Sequence, residues 1–138
     1  MRYLGIYRPA APEGTPPTQE DIAKMGNLIE EMTKAGILIT TEGCLPSATG
    51  ARVRYSKGKF TVVDGPFTES KELIAGFALF QVKSKDEAIE WTKRFLEAAG
   101  EGESEIRQIY EPEDFGAEFT PELREQEERS RARMAANA

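Results

Sequence analysis

Apolar and polar positions along the chain change their period several times, and each change predicts an element. Tyr3-Leu4-Gly5-Ile6-Tyr7 is aromatic and aliphatic with Gly5 as its only breaker, and reads as a first strand. Pro9, Pro12, Gly14, Pro16 and Pro17 then make a loop that neither helix nor sheet could absorb. Thr18 with Asp21 three residues on predicts a helix start, since the hydroxyl can cap the first turn and the acid suits its positive end. Ile22, Met25, Ile29, Met32 and Ala35 follow at helical spacing, and Gly36 is placed to end the helix. Gly26 within it costs about 1 kcal/mol relative to alanine and reads as room for a close approach to a sheet.

Ile37 to Thr41 reads as a second strand closed by Glu42-Gly43, with a loop over Leu45 to Gly50. Arg52-Val53-Arg54-Tyr55 alternates charge with apolar bulk, which predicts one wet face and one packed face. Lys57-Gly58-Lys59 makes a turn, and Phe60-Thr61-Val62-Val63 returns as the hairpin partner. Asp64-Gly65-Pro66-Phe67 follows, a shaped turn rather than a generic linker. Gly76 to Val82 is apolar on both faces, so it belongs in the middle of a covered sheet or between a sheet and a partner. Ser84 and Glu87 predict a capping box. Ala88, Trp91, Phe95 and Ala99 line one face of the helix that follows, and Gly100 stops it. Glu105 to Tyr110 reads as the last strand.

Beyond Tyr110 the chain turns polar. Pro112, Asp114 and Gly116 break structure, and Thr120-Pro121-Glu122 opens a helix in which Glu125/Arg129 and Glu127/Arg131 have ion-pair spacing. Strand, helix, strand, hairpin, strand, helix, strand is the order of an α+β, ferredoxin-like sandwich with an added β-hairpin, in residues 1–112. Residues 113–138 form a polar helical extension. Phe77 and Leu79 cannot point at the same helices as their neighbours, so a homodimer covering the second sheet face is expected.

Composition narrows the chemistry. A net charge of −6 argues against direct nucleic-acid or anionic-membrane binding, which needs a basic face. One cysteine, Cys44, cannot build a disulfide framework, and it has no cationic neighbour in sequence to activate it. The absence of histidine removes imidazole bases, histidine-ligated haem and the usual zinc sites, so no metal or other cofactor is expected. No run approaches the roughly 20 apolar residues that span a bilayer, and the N-terminus lacks a signal-peptide pattern. A cytoplasmic protein is expected.

Asp64 is the first candidate for a catalytic role. An acid usually caps its own turn through the N–H two residues on, but Pro66 has none. Asp64 therefore bonds further along, to Phe67 or Thr68, or faces a pocket. Glu42, closing the second strand, is the second: beside Asp64 it would form an acid/base pair of carboxylates with separated pKa values, and elsewhere it is a solvated edge acid. Phe67 reads as a packing plug or a ring that stacks on a ligand. Arg52 and Arg54 share a strand face from which either could clamp an anionic ligand, the alternative being a solvated row. Tyr3 offers a hydroxyl from the first strand, to a ligand or to the core.

Val63-Asp64-Gly65-Pro66-Phe67-Thr68-Glu69-Ser70-Lys71-Glu72 followed by Gly76-Phe77 resembles the signature of the DGPF-domain proteins of the wider YCII-related family. Arg2 to Tyr7, Ala35 to Leu38, Glu42 to Pro46 and Asp86 to Trp91 fit the same pattern, over about residues 1–110. The resemblance implies a dimeric α+β barrel whose two sheets enclose a cavity for a small organic molecule. Relatives carry a histidine–aspartate pair proposed as catalytic, and this chain has no histidine to match it. If the chain is catalytic, carboxylate acid/base chemistry with arginine anchoring is expected. DGPF proteins are often encoded beside extracytoplasmic-function sigma factors, which implies as an alternative a regulator or adaptor with a transcription-associated partner.

Overall fold

The computed structural model describes the backbone of all 138 residues and every side chain except that of Ser70. Two units are distinct, Met1–Gln108 and Ile109–Ala138.

In the first unit, β1 (Arg2–Pro9), α1 (Gln19–Lys34), β2 (Leu38–Gly43), β3 (Ala51–Ser56), β4 (Lys59–Asp64), β5 (Gly76–Gln81), α2 (Lys85–Ala99) and β6 (Gly102–Gln108) follow in order. The chain is α+β, with a four-stranded sheet in the order β2-β5-β1-β6 and a separate two-stranded sheet of β3 and β4. Every strand pair is antiparallel. The order agrees with a ferredoxin-like sandwich. β5 does sit inside the sheet, between β2 and β1, as its unbroken apolar run predicts.

Local chemistry sets the helix ends. Thr18 Oγ1 accepts from the Asp21 N–H, and the Asp21 carboxylate accepts from the Thr18 N–H, both at 3.1 Å. Ser84 caps α2 by accepting from the Glu87 N–H, but the Glu87 carboxylate accepts from Lys83 rather than from Ser84, so the expected reciprocal box is displaced by one residue. The β3–β4 turn has positive φ at both Lys57 and Gly58, the twist that suits a two-residue hairpin.

Tyr3, Phe80 and Val82 of the sheet region meet Leu28 and Met32 of α1 and Ala88 of α2 in the buried core. Strand alternation then sends Leu4, Ile6, Phe77 and Leu79 to the other face, with Leu4 opposite Leu79 and Ile6 opposite Phe77. That face is the one for which the sequence predicts a partner.

The structure corrects four expectations. In α1 the expected stripe keeps Met32 buried and Met25 and Ile29 half-buried, but Ile22 at its start is 60% exposed and Leu28, outside the stripe, is buried. A Cβ on Gly26 would meet nothing within 4 Å, so no close approach to a sheet explains that glycine. β6 starts at Gly102, three residues before the expected Glu105, because its register with β1 runs to Gly102 opposite Pro9. Val53 and Tyr55, expected on a packed face of the hairpin, are exposed, because no other element of the unit packs against them.

The second unit holds α3 (Pro121–Ala136), capped by Thr120 with Pro121 in its first turn. Glu127 and Arg131 pair at 3.0 Å, whereas among the described residues no ion pair joins Glu125 and Arg129. Tyr110, Phe115 and Phe119 stack in sequence, and Arg124 lies over Phe119. Among the described residues no helix is long and apolar enough to cross a membrane.

Candidate functional site

Two places in the first unit carry more structure than the fold needs. One is the turn after β4. Gly65 donates its N–H to the Gly50 carbonyl at 3.0 Å, and a Cβ there would lie 1.7 Å from the Ser47 carbonyl oxygen, so only glycine fits. The Gly65–Pro66 peptide bond is cis. Phe67 donates its N–H to Ser47 Oγ, and Ser47 donates both its N–H and its hydroxyl to the Glu13 carboxylate at 2.7 Å. Arg52 lies 4.0 Å over the Phe67 ring and bonds Glu72 at 2.9 Å. The turn is thus tied on three sides, to the proline-rich loop, to the Pro46–Gly50 bend and to the hairpin root.

The other is a trough of about 1960 Å³ at one end of the sandwich. Antiparallel pairing brings the C-terminal ends of β1 and β2 and the N-terminal ends of β5 and β6 to that end. The proline-rich loop, the first half of α1 and the last turns of α2 form the rest of its wall. Ile22, Leu45 and Ile74 present exposed apolar side chains to it, and Met25, Ile29 and Phe95 lie half-buried in it. Those last three, with Tyr7, Thr41 and Phe77 from the strand ends, also line an apolar void of about 40 Å³. The void and the trough thus share six lining residues.

Tyr7 marks the junction. Its ring meets Phe95 edge-on at 5.2 Å, and its hydroxyl donates to the Gly100 and Glu101 carbonyls at 3.2 and 3.3 Å. Desolvation pushes its phenol pKa above the ordinary value, so it stays a protonated donor at neutral pH. Glu13, Asp21, Glu42, Glu101 and Glu103 stand along the trough against Arg8 and Lys71, giving it an acidic character. The Asp21 carboxyl is held below its usual range, chiefly by the Thr18 backbone hydrogen bond and then by the Thr18 side chain.

The residues singled out in the sequence divide between these places. Asp64 pairs with Ala51 at the hairpin root, exposed, and its carboxylate makes no hydrogen bond or ion pair among the described residues. The Phe67 N–H that it was expected to seek goes to Ser47 instead. Phe67 is half-buried beneath Arg52. Arg54 is exposed on β3. Tyr3 is buried and stacked on Phe80, with ring centroids 6.2 Å apart. Glu42 lines the trough and Asp64 does not, and no hydrogen bond joins them among the described residues. Cys44 lies exposed on the trough wall, its N–H bonded to the Ala75 carbonyl. No cluster of three Cys, Asp or Glu side chains among the described residues is spaced to hold a metal ion.

Sequence reasoning missed Tyr7, Ile22, Ile29 and Phe95 as site residues because each satisfies an ordinary core pattern. No signal in the sequence separates Ile22 from the rest of its stripe, which runs on to the buried Met32.

Residues 1–113 match the YCII-related domain. An uncharacterized protein of Rhizobium meliloti (strain 1021) is 35% identical over 82 residues, which span 57% of this chain and 66% of that relative.

Proposed function

The chain belongs to the YCII-related domain family, and from that premise we propose that it is a cytoplasmic protein that binds a small organic molecule in the trough. The observation that carries this reading is an open trough and a small apolar recess beside it that share six lining residues. Pockets for small molecules are concave and mostly apolar, with a few placed polar groups. Met25, Ile29 and Phe95 supply the apolar floor, and Glu42, Glu101 and Glu103 supply acids at the rim. A ligand with an apolar body and a neutral or cationic polar end fits that lining better than an anion. The separation of Glu42 from Asp64 favours binding over two-carboxylate chemistry.

The wider assembly in this reading is a ferredoxin-like homodimer. Leu4, Ile6, Phe77 and Leu79 form the sheet face that a second copy would cover. Sedimentation of the chain as a monomer at working concentration would remove the homodimer from this reading.

Thermal-shift measurement across a metabolite set tests the ligand. Binding at 100 times Kd stabilises the folded chain by about 2.7 kcal/mol, which raises the midpoint by several degrees. The expected hits lose their shift in Ile22→Glu, a change at an exposed position of the trough mouth. A set in which no compound moves the wild-type midpoint, or in which hits act equally on Ile22→Glu, overturns the reading.

A further inference from the structure

Gly5 lies inside β1, buried on the strand face that it shares with Tyr3 of the core. A glycine inside a strand weakens it, and it ordinarily answers to a positive φ, a bulge, or the close approach of another backbone or a ligand. Gly5 has no positive φ, and the register of β1 runs unbroken past it against both β5 and β6. A Cβ built on it would stand 3.5 Å from a Phe80 ring carbon and 4.0 Å from the nearest backbone atom across the sheet, the Ala78 carbonyl oxygen, both ordinary contacts. Gly76 and Gly102 differ, since a Cβ there would come within 2.8 and 2.6 Å of a backbone oxygen. Of the ordinary causes, the approach of a ligand is the one left for Gly5.

The space that this glycine leaves bare belongs to the apolar recess of about 40 Å³, where Gly5 and Ser104 stand among Met32, Leu38, Phe80 and Trp91. The other hydroxyls of its lining are spent. Thr41 donates to the Phe77 carbonyl at 3.0 Å, Thr92 to the Ala88 carbonyl at 2.7 Å, and Tyr7 to the carbonyls just past α2. Ser104, opposite Tyr7 on β6, makes no side-chain hydrogen bond among the described residues, and its Oγ lies 3.8 Å from where a Gly5 Cβ would stand. A bound water needs two to four polar partners, and one free hydroxyl does not supply them, so an apolar group suits the recess better than water does. A cavity of roughly 150 Å³ takes benzene, so about 40 Å³ takes a short alkyl group and not a ring. A charge placed there would stay unpaired beside a lone hydroxyl, which selects a neutral group.

We propose that the recess is a subsite for a short neutral alkyl end of methyl or ethyl size, set next to one polar atom that pairs with Ser104 Oγ, and that Gly5 sets its size. The proposal rests on the small-molecule reading above and narrows it. The ligand ends in a short alkyl group beside an oxygen or nitrogen atom, and the rest of it lies toward the residues that recess and trough share. The two residues act separately: Gly5 supplies room, and Ser104 supplies a hydrogen-bond partner.

Amide NMR of the full chain tests it, with propan-1-ol as the probe and with benzyl alcohol and propylammonium as the oversized and the charged comparison. Propan-1-ol is expected to give saturable shifts at Gly5, Ala78 and Ser104, and the two comparison compounds to bind there at least about tenfold more weakly. Gly5→Ala is expected to abolish the propan-1-ol response while melting no lower than wild type, because the added methyl fills space and meets only ordinary contacts. Binding lost without stability lost separates a subsite from a structural glycine. Ser104→Ala is expected to weaken propan-1-ol by up to about tenfold, the worth of one hydrogen bond. No saturable response in wild type, an undiminished response in Gly5→Ala, equal affinity for benzyl alcohol, or a Gly5→Ala chain that melts well below wild type overturns the subsite. Metabolite hits that keep their thermal shift in Gly5→Ala but lose it in Ile22→Glu keep the small-molecule reading and refute only the subsite.

Discussion

Phe80 and Phe60 are the same side chain on strands of six residues each, yet Phe80 is 4% exposed and Phe60 is 73% exposed. The difference lies in what surrounds each strand. β5 has neighbours on both edges and two helices above it, so its ring meets Tyr3, Leu28 and Met32. β4 has one neighbour, and its apolar face meets Tyr55 and solvent. Apolar content alone therefore does not separate a strand that builds the core from one that stays exposed. Sheet position does.

The most severe way to probe this contrast is to truncate both rings. Phe80→Ala is expected to destabilise the chain by about 3–5 kcal/mol, the usual cost of removing a core aromatic. Phe60→Ala, measured by denaturant unfolding at dilutions that keep chains apart, is expected to stay within about 0.5 kcal/mol. A large loss for Phe60→Ala would place the hairpin in the core of its own unit and end the comparison. A smaller effect sharpens the boundary between the regions. Gly65→Ala forces a Cβ against the Ser47 carbonyl, and overpacking of this kind costs about 1–3 kcal/mol. Urea titration is expected to show that loss, and an unchanged midpoint would mean that the hairpin root is not pinned.

The smallest effect concerns the ion pair between α1 and α2 on the covered side. Hydrogen bonds from Arg94, then its charge, hold the Glu31 carboxyl below the ordinary glutamate value. A carboxyl whose folded pKa is depressed contributes fully above its unfolded pKa and loses that contribution as pH falls through the folded value. Glu31→Gln is therefore expected to melt slightly lower than wild type at neutral pH, with the gap closing on acidification and under high salt. A gap that widens in acid would assign the effect to something other than this pair.

Much of the architecture was legible in the sequence. The two capped helices, the hairpin and the doubly apolar β5 follow from period, turn residues and cap residues, all of which act locally. The site was less legible. Helical period places Ile22, Met25, Ile29 and Met32 in one stripe, but only packing decides that Met32 and the off-stripe Leu28 are covered while Ile22 stands open. The Asp64–Phe67 segment declares a shaped turn, yet its ties run to Ser47 and, through Ser47, to Glu13, distant positions with no mark in a pattern of residues. The trough arises where four strand ends converge, and convergence is a property of topology.

One consequence of the hairpin being a sheet of only two strands remains. Each strand has a backbone row bonded to its neighbour and another row turned outward. An outward row of N–H and C=O groups is a template on which a foreign strand can grow, and identical hairpins meeting side by side would be the readiest recruits. Arg52, Arg54, Lys57 and Lys59 place like charges along that approach. Mutual repulsion of those charges works against hairpins zipping edge to edge into open-ended fibrils.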